Sequence, residues 1–337
     1  MGRFEFFDQR RLPVIVTPGS LGLSADGIES LLAALRVHGD LFSELKLKHG
    51  AILFRDFGLA DSADFFTFAR SYFSAGPRPY HGGVSPRSSV AHNIYESTRV
   101  PPSYCIPQHH ELSYIARPPG EICFYCEVEP TQGGETPLSD SRLIYRRLRP
   151  DLRDEFERKQ LRYHRYLFGP KWHPVWKLLN RWLGFQCSWM ETFSTTDQHQ
   201  VEVFVKDQGL ELIWDDRSAS AMVSNLLPAV KEHPVTGEKA WFNMVTTFLV
   251  TPRMHGKPKV MFYEFMYPNP LTRPFHVIFG TGEPIPEAFV DSIGETIDAA
   301  TVKFPWEKGD LLLIDNLAVA HGRQPFRGER KILAAMA

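Results

Sequence analysis

Two segments far apart in this chain carry residue types that could do chemistry together. They are Gln108-His109-His110-Glu111-Leu112-Ser113-Tyr114 and Asp315-Asn316-Leu317-Ala318-Val319-Ala320-His321-Gly322-Arg323. His109 and Glu111 are two residues apart and reach the same side if their segment is an extended strand. The second segment supplies a lone His321, followed nine residues later by Arg330. Two imidazoles and one carboxylate are the parts of a non-haem Fe(II) site, where three protein ligands occupy one face of the metal and leave the other open. A nearby guanidinium would hold the carboxylate of an organic co-substrate as a bidentate partner. His110 faces the other way with Leu112, which makes it a neighbour of the site or a substrate contact and not a ligand.

Taken singly, these residues decide little. The chain has 13 His, and a given His is most often a surface residue or a satisfied core one. The composition is that of an ordinary soluble globular protein, with 43% hydrophobic and 23% charged residues. Its 25 Phe, 7 Trp and 11 Tyr allow a large core with aromatic-lined cavities. A net charge of −1 leaves no electrostatic footprint for nucleic acid or an anionic membrane. No apolar window is long enough to span a bilayer. The first residues lack the apolar run of a signal peptide, and Phe6 stands where a myristoylation signal wants Ser or Thr, so a cytoplasmic location is expected. The 4 Cys do not make a disulfide framework. Cys123 and Cys126 sit in a strand-like run, where a three-residue separation points the sulfurs to opposite faces and implies core packing.

Elements must position the two segments. Apolar spacing predicts a helix over 26–49, with Ser24 or Asp26 as N-cap, and a buried strand from Gly50 to Asp56. A second helix is predicted over 61–74, with Phe65, Phe66, Ala69 and Phe73 on its apolar side. Residues 80–103 read as a loop rich in Gly, Ser, Pro and Arg. The His109 segment and 121–130 read as strands, 132–136 as a turn, and 141–159 as a helix capped by Ser141. Residues 161–214 carry Trp172, Trp176, Trp182 and Trp189 and are expected to form a helical insertion, or lid, over the site. A turn and strand follow over 231–243, and a helix over 282–300. Strands over 309–315 and 330–336 are then joined by a loop bearing His321. With no internal repeat and no linker, residues 1–337 read as a single α+β domain. Its core is expected to be a double-stranded β-helix of the jelly-roll or cupin kind, with flanking helices.

The ordered motifs of the chain resemble the TauD/TfdA family of Fe(II)/2-oxoglutarate-dependent oxygenases, and within it the SyrP-like hydroxylases of nonribosomal peptide pathways. The resemblance runs from about Gly50 to the C-terminus. It rests on Ser85-Pro86-Arg87, on Ile106 to Tyr114, on Gly133-Gly134-Glu135-Thr136-Pro137, and on His233-Pro234-Val235-Thr236-Gly237-Glu238 with Trp241-Phe242-Asn243. It continues in Asp315-Asn316 with His321-Gly322-Arg323, and in Pro325-Phe326-Arg327-Gly328-Glu329-Arg330. Such a resemblance implies that His109, Glu111 and His321 bind Fe(II). It implies that Arg330 and Thr136 hold 2-oxoglutarate, with O₂ as the other co-substrate. Thr136 has the alternative reading of a turn residue after the two glycines. Arg323 ranks below Arg330, as a surface residue or a partner of Asp315. Arg87, His110 and Asn243 are candidate substrate contacts, each with a packing or solvent-facing alternative.

Two departures from the family pattern matter. Glu111 stands where many members have Asp, and His110 stands where this branch commonly has Asn. Related halogenases lose the carboxylate ligand so that chloride can take its place, and Glu111 therefore argues for oxygenation. The resemblance implies hydroxylation of an unactivated C–H of an amino acid, commonly one tethered to a peptidyl carrier protein in antibiotic or other secondary-metabolite biosynthesis. The competing readings are oxygenation of a free sulfonate, aryloxy acid or amino acid, desaturation or cyclisation by the same chemistry, and a non-catalytic metal-binding β-barrel.

Overall fold

The computed structural model describes residues 4–80, 89–91, 93–98, 100–172 and 187–337. Its centre is a seven-stranded sheet in the order Val14–Val16, Ala51–Phe54, Leu311–Asp315, Glu121–Val128, Lys331–Met336, Ile94–Glu96, Ser89–Ala91. Alternation along the central strands sorts side chains onto two faces. Ile122, Phe124, Cys126, Leu312, Ile314, Ile332 and Ala334 enter one core. Cys123, Tyr125, Leu311, Leu313, Leu333 and Ala335 enter the other. The two cysteines thus lie on opposite faces, and burial raises the pKa of both thiols, which suits packing and not redox chemistry.

Helices Ile28–His49 and Ser62–Tyr72 cover the second face with Leu31, Ala34, Phe42, Phe65, Phe68 and Ala69. Two details differ from the sequence reading. Gly27 is the N-cap of the longer helix and makes no side-chain cap, in place of Ser24 or Asp26. On the shorter helix Phe68 is fully buried, whereas Phe66 is only partly so, because Phe65, Phe68 and Ala69 form the facing row.

Against the first face lies a three-stranded sheet of Ile106–His109, Val319–Arg323 and Leu138–Asp140. The two sheets enclose the main core and form the expected α+β double-stranded β-helix. His321 is therefore on a strand between two partners and not on a loop. Residues 141–159 form two helices, Ser141–Arg147 and Pro150–Lys159. Pro150 forbids helical geometry at the residue before it and opens the second helix. The first is capped by Asp140, whose carboxylate accepts from the N–H groups of Arg142 and Leu143, and not by Ser141.

The described residues of 161–214 are not mainly helical. Leu161–Leu167 is an inner strand of a four-stranded sheet in the order Glu211–Asp215, Ser220–Leu227, Leu161–Leu167, His276–Phe279. Two helices, Trp189–Phe193 and Gln198–Asp207, pack on it through Leu167, Trp189, Phe193, Val201 and Val205. A tryptophan count does not distinguish helix from strand, and the short apolar run Leu161–Leu167 has period two. Of the four tryptophans, Trp176 and Trp182 lie outside the described residues. Among the described residues, no helix is long and apolar enough to cross a membrane.

Candidate active site

The strand Ile106–His109 ends at His109, so Glu111 does not share a strand face with it. The chain instead turns through Leu112, whose φ of 53° is uncommon for a residue with a side chain. Asn316 holds that turn. Its Oδ1 accepts from the Glu111 N–H at 2.8 Å, and its Nδ2 donates to the carbonyls of Glu111 at 3.0 Å and Pro119 at 2.8 Å. The side chain of Asn316 is fully buried and satisfied at both ends.

Across the sheet His321 pairs directly with His109, and their ring centroids are 4.6 Å apart. A register shift follows immediately, between His321 and Arg323. Gly322 sits in that irregularity, where a Cβ would lie 2.6 Å from the Ile106 carbonyl oxygen. The missing side chain lets the two strands approach and aims both imidazoles inward. Ligand atoms of His109, Glu111 and His321 all lie within 4.8 Å of one another. A carboxylate oxygen of Glu111 is 3.9 Å from His321 Nε2. His109 Nδ1 lies 2.9 Å from the Pro107 carbonyl. Only a protonated Nδ1 can satisfy that oxygen, which leaves the Nε2 lone pair free for a metal. Two imidazoles and a carboxylate at this separation fit a divalent iron.

The same cavity is lined by Thr136, Arg323 and Arg330, together with Tyr80, Tyr114 and Phe124. Arg330 Nε donates to the Gly134 carbonyl at 3.1 Å, and no carboxylate among the described residues pairs with its terminal nitrogens. Burial, then the neighbouring Arg323, lowers its pKa to about 10. An uncompensated guanidinium facing a cavity fits the carboxylate of a ligand. Thr136 Oγ1 accepts the Trp306 indole N–H at 3.0 Å. Indole nitrogen is a donor only, so the Thr136 hydroxyl keeps its own proton for another acceptor.

The other residues named from sequence fall elsewhere. Arg323 donates to the carbonyls of Val100 at 2.8 Å, Pro101 at 2.7 Å and Tyr104 at 2.9 Å, and so fixes one cavity wall. It is not a partner of Asp315. That carboxylate instead accepts from His233 Nε2 at 2.9 Å and from the Leu317 and Ala318 N–H groups. The His233 motif is thereby explained as a brace on the turn that carries Asn316. His110 is 2% exposed and lies behind the cavity, with Nε2 2.6 Å from the Ser141 hydroxyl and its ring 4.6 Å from Phe242. Asn243 spends its amide on the Ala229 carbonyl and the Val245 N–H, and does not line the cavity. Arg87 lies outside the described residues. No described residue of 161–214 lines the cavity either, whereas Met244 and Thr247 do. The spacing of residues gave no sign of Trp306 or of Asn316 as a brace, because their partners are 170 and 205 positions away.

A double-stranded β-helix with two imidazoles, a carboxylate and an unpaired guanidinium around one cavity defines the class of Fe(II)/2-oxoglutarate dioxygenases. A family model described as "Taurine catabolism dioxygenase TauD, TfdA family" matches residues 17–336, and the chain belongs to that family. Members of this family use Fe(II), 2-oxoglutarate and O₂. The chain is 30% identical to a clavaminate synthase-like protein of Arabidopsis thaliana, over 98% of this chain and 95% of that protein. It is also 30% identical to the dapdiamide synthesis protein DdaC of Enterobacter agglomerans, over 87% of this chain and 83% of that protein. Among solved structures it is similar to a protein described as an alpha-ketoglutarate-dependent 2,4-D dioxygenase of Burkholderia xenovorans. That match has a TM-score of 0.51 and 16% identity, over 99% of this chain and 96% of the other. The structure of AAD-2 in complex with Mn(II) and N-oxalylglycine matches with a TM-score of 0.50 and 14% identity, over 88% of this chain and 86% of that one. At these identities the structural matches speak for the fold.

Proposed function

We propose that this dioxygenase hydroxylates an unactivated C–H bond of an amino acid presented as a carrier-protein thioester in secondary-metabolite biosynthesis. His109, Glu111 and His321 hold Fe(II), and Arg330 with Thr136 holds the distal carboxylate of 2-oxoglutarate. The observation that carries this reading is the meeting of the three ligand atoms, within 4.8 Å of one another, with Arg330 and Thr136 in one cavity. When bound, the metal and keto acid supply the oxidising power, with 2-oxoglutarate, O₂ and R–H giving succinate, CO₂ and R–OH. The chain's own residues position and enclose. The Pro107 carbonyl fixes the His109 tautomer, Asn316 fixes the Glu111 backbone, and Trp306 turns the Thr136 proton into the cavity. Tyr80, Tyr114, Phe124 and Ile332 supply walls that exclude water. Glu111 fills the position that a halide would need, which favours oxygenation.

The distribution of charge supports a tethered substrate. Among the described residues lining the cavity, Arg323 and Arg330 are the cations. The terminal nitrogens of Arg323 are spent on backbone carbonyls, and Arg330 is assigned to the co-substrate. A thioester carries no carboxylate and needs no third cation; a free acid does. The relative named for dapdiamide synthesis also supports a biosynthetic role. The family description, which names taurine catabolism, favours a second reading, a free sulfonate or other small acid. On that reading Arg87 is the candidate counter-cation.

A mass-spectrometric screen of free amino acids and small acids beside carrier-loaded aminoacyl thioesters separates the two. The proposal expects a gain of one oxygen, with matching succinate, on loaded carrier alone. Turnover of a free acid that is lost in Arg87→Ala would establish the second reading.

A further inference from the structure

Arg330 and Arg323 share one more neighbour. The Arg323 guanidinium carbon lies 5.1 Å from the centroid of the Phe326 ring, and that of Arg330 lies 5.6 Å from the same centroid. Both cations therefore meet one aromatic ring, and they are close enough that Arg323 lowers the pKa of Arg330. The backbone that carries the ring is held on both sides. Phe326 pairs with Gly133 across a two-stranded ladder, and its N–H donates to the Pro102 carbonyl at 3.0 Å. Gly134 completes the fit, since a Cβ there would lie 3.1 Å from both the Phe326 Cβ and the Arg330 Cδ.

We infer that Phe326 is a positioning residue for 2-oxoglutarate: its ring holds the Arg330 guanidinium in place while leaving the N–H fork free for the co-substrate. The inference rests on the assignment of Arg330 to the distal carboxylate. Two neighbouring guanidinium groups repel, and the usual remedy is a carboxylate between them. Such a carboxylate would occupy the fork and compete with the ligand. A ring face attracts cations through its quadrupole and accepts nothing from the N–H edge. Among the described residues, Arg330 then spends only Nε on protein, at the Gly134 carbonyl, and no described carboxylate occupies its terminal nitrogens. Side-chain freedom is removed before the ligand arrives, so less affinity is lost on binding.

The test compares two keto acids on Mn(II)-loaded protein by isothermal titration. 2-Oxoglutarate has the distal carboxylate and pyruvate does not. In Phe326→Leu the dissociation constant for 2-oxoglutarate should rise about three- to tenfold, the range of a partly desolvated cation–π contact. That for pyruvate should stay within about twofold. Phe326→Tyr keeps the ring face and should restore tight binding. Trifluorophenylalanine at position 326 keeps the shape, drains the ring face and should weaken 2-oxoglutarate alone, even if the Leu variant fails to fold. Equal weakening of both keto acids, or an unchanged constant in the fluorinated protein, overturns the inference. Arg330→Met is the reference for the underlying assignment and should abolish the preference for 2-oxoglutarate over pyruvate. If that preference survives, the Arg330 assignment falls and the inference with it. If it is lost in Arg330→Met but untouched by the changes at Phe326, the inference alone falls.

Discussion

The hydroxyl of Thr136 accepts the Trp306 N–H and so keeps its own proton for a ligand. Trp306→Phe removes that constraint with little change of bulk. The expected result is a KM for 2-oxoglutarate raised about three- to tenfold, the worth of one hydrogen bond, with kcat near that of the parent. Thr136→Val should do the same, and the double variant should be no worse than Thr136→Val, because both act through one contact. Additive losses in steady-state kinetics would contradict the account. His109, Glu111, His321, Thr136 and Arg330, all named from the sequence, come together around one cavity. For His110 and Asn243, left open between substrate contact and packing, the structure shows packing outside the cavity. Short-range spacing cannot say that Asn243 spends both amide ends on backbone, or that the His110 ring packs on Phe242.

Strand ends and bulges, more than strands, set the geometry of the site. The spacing of His109 and Glu111 predicts a strand through both; the observed strand stops two residues earlier, and Asn316 supplies what the ladder no longer does. Asn316→Ala leaves a buried N–H and two carbonyls without their partner and should cost about 1–3 kcal/mol in denaturant unfolding. It should also weaken metal affinity through the displaced Glu111. Gly322→Ala places a Cβ 2.6 Å from the Ile106 carbonyl, where backbone has to move. The two imidazoles would then separate, and the expected outcome is weaker Mn(II) binding by calorimetry together with a loss of about 1–3 kcal/mol in stability. Wild-type metal affinity in Gly322→Ala would show that the close approach does not matter. The core strands and first helices were legible because their apolar periods are strong. The four-stranded sheet was less legible: Leu161–Leu167 alternates with period two, but the tryptophan content around it says nothing of helix or strand.

Across the whole molecule several imidazoles are buried or half-buried. Burial lowers the pKa of His110 to about 3 and that of His276 to about 4, and it lowers those of His49 and His164 as well. In the unfolded chain these groups titrate near 6.5. Between about pH 6.5 and the folded values, the unfolded state binds more protons, so stability falls as pH falls through that window and is fully present above it. The melting midpoint should drop from pH 7.5 to pH 5, and His276→Gln should make the drop shallower. A midpoint that is flat or rises on acidification would contradict this. The overall architecture was legible from the motif order: the His109 and His321 segments are neighbouring strands of the three-stranded sheet, and Gly133 pairs with Phe326 in a separate two-stranded ladder.

The central claim is that His109, Glu111 and His321 hold iron beside a 2-oxoglutarate site at Arg330. Anaerobic addition of Fe(II) and 2-oxoglutarate, followed by visible absorption, tests it most directly. The account predicts the weak, broad band of an iron–keto-acid chelate in the parent protein, and its loss in a folded His321→Ala variant. No band in fully metallated parent protein, or an undiminished band in His321→Ala, would contradict it.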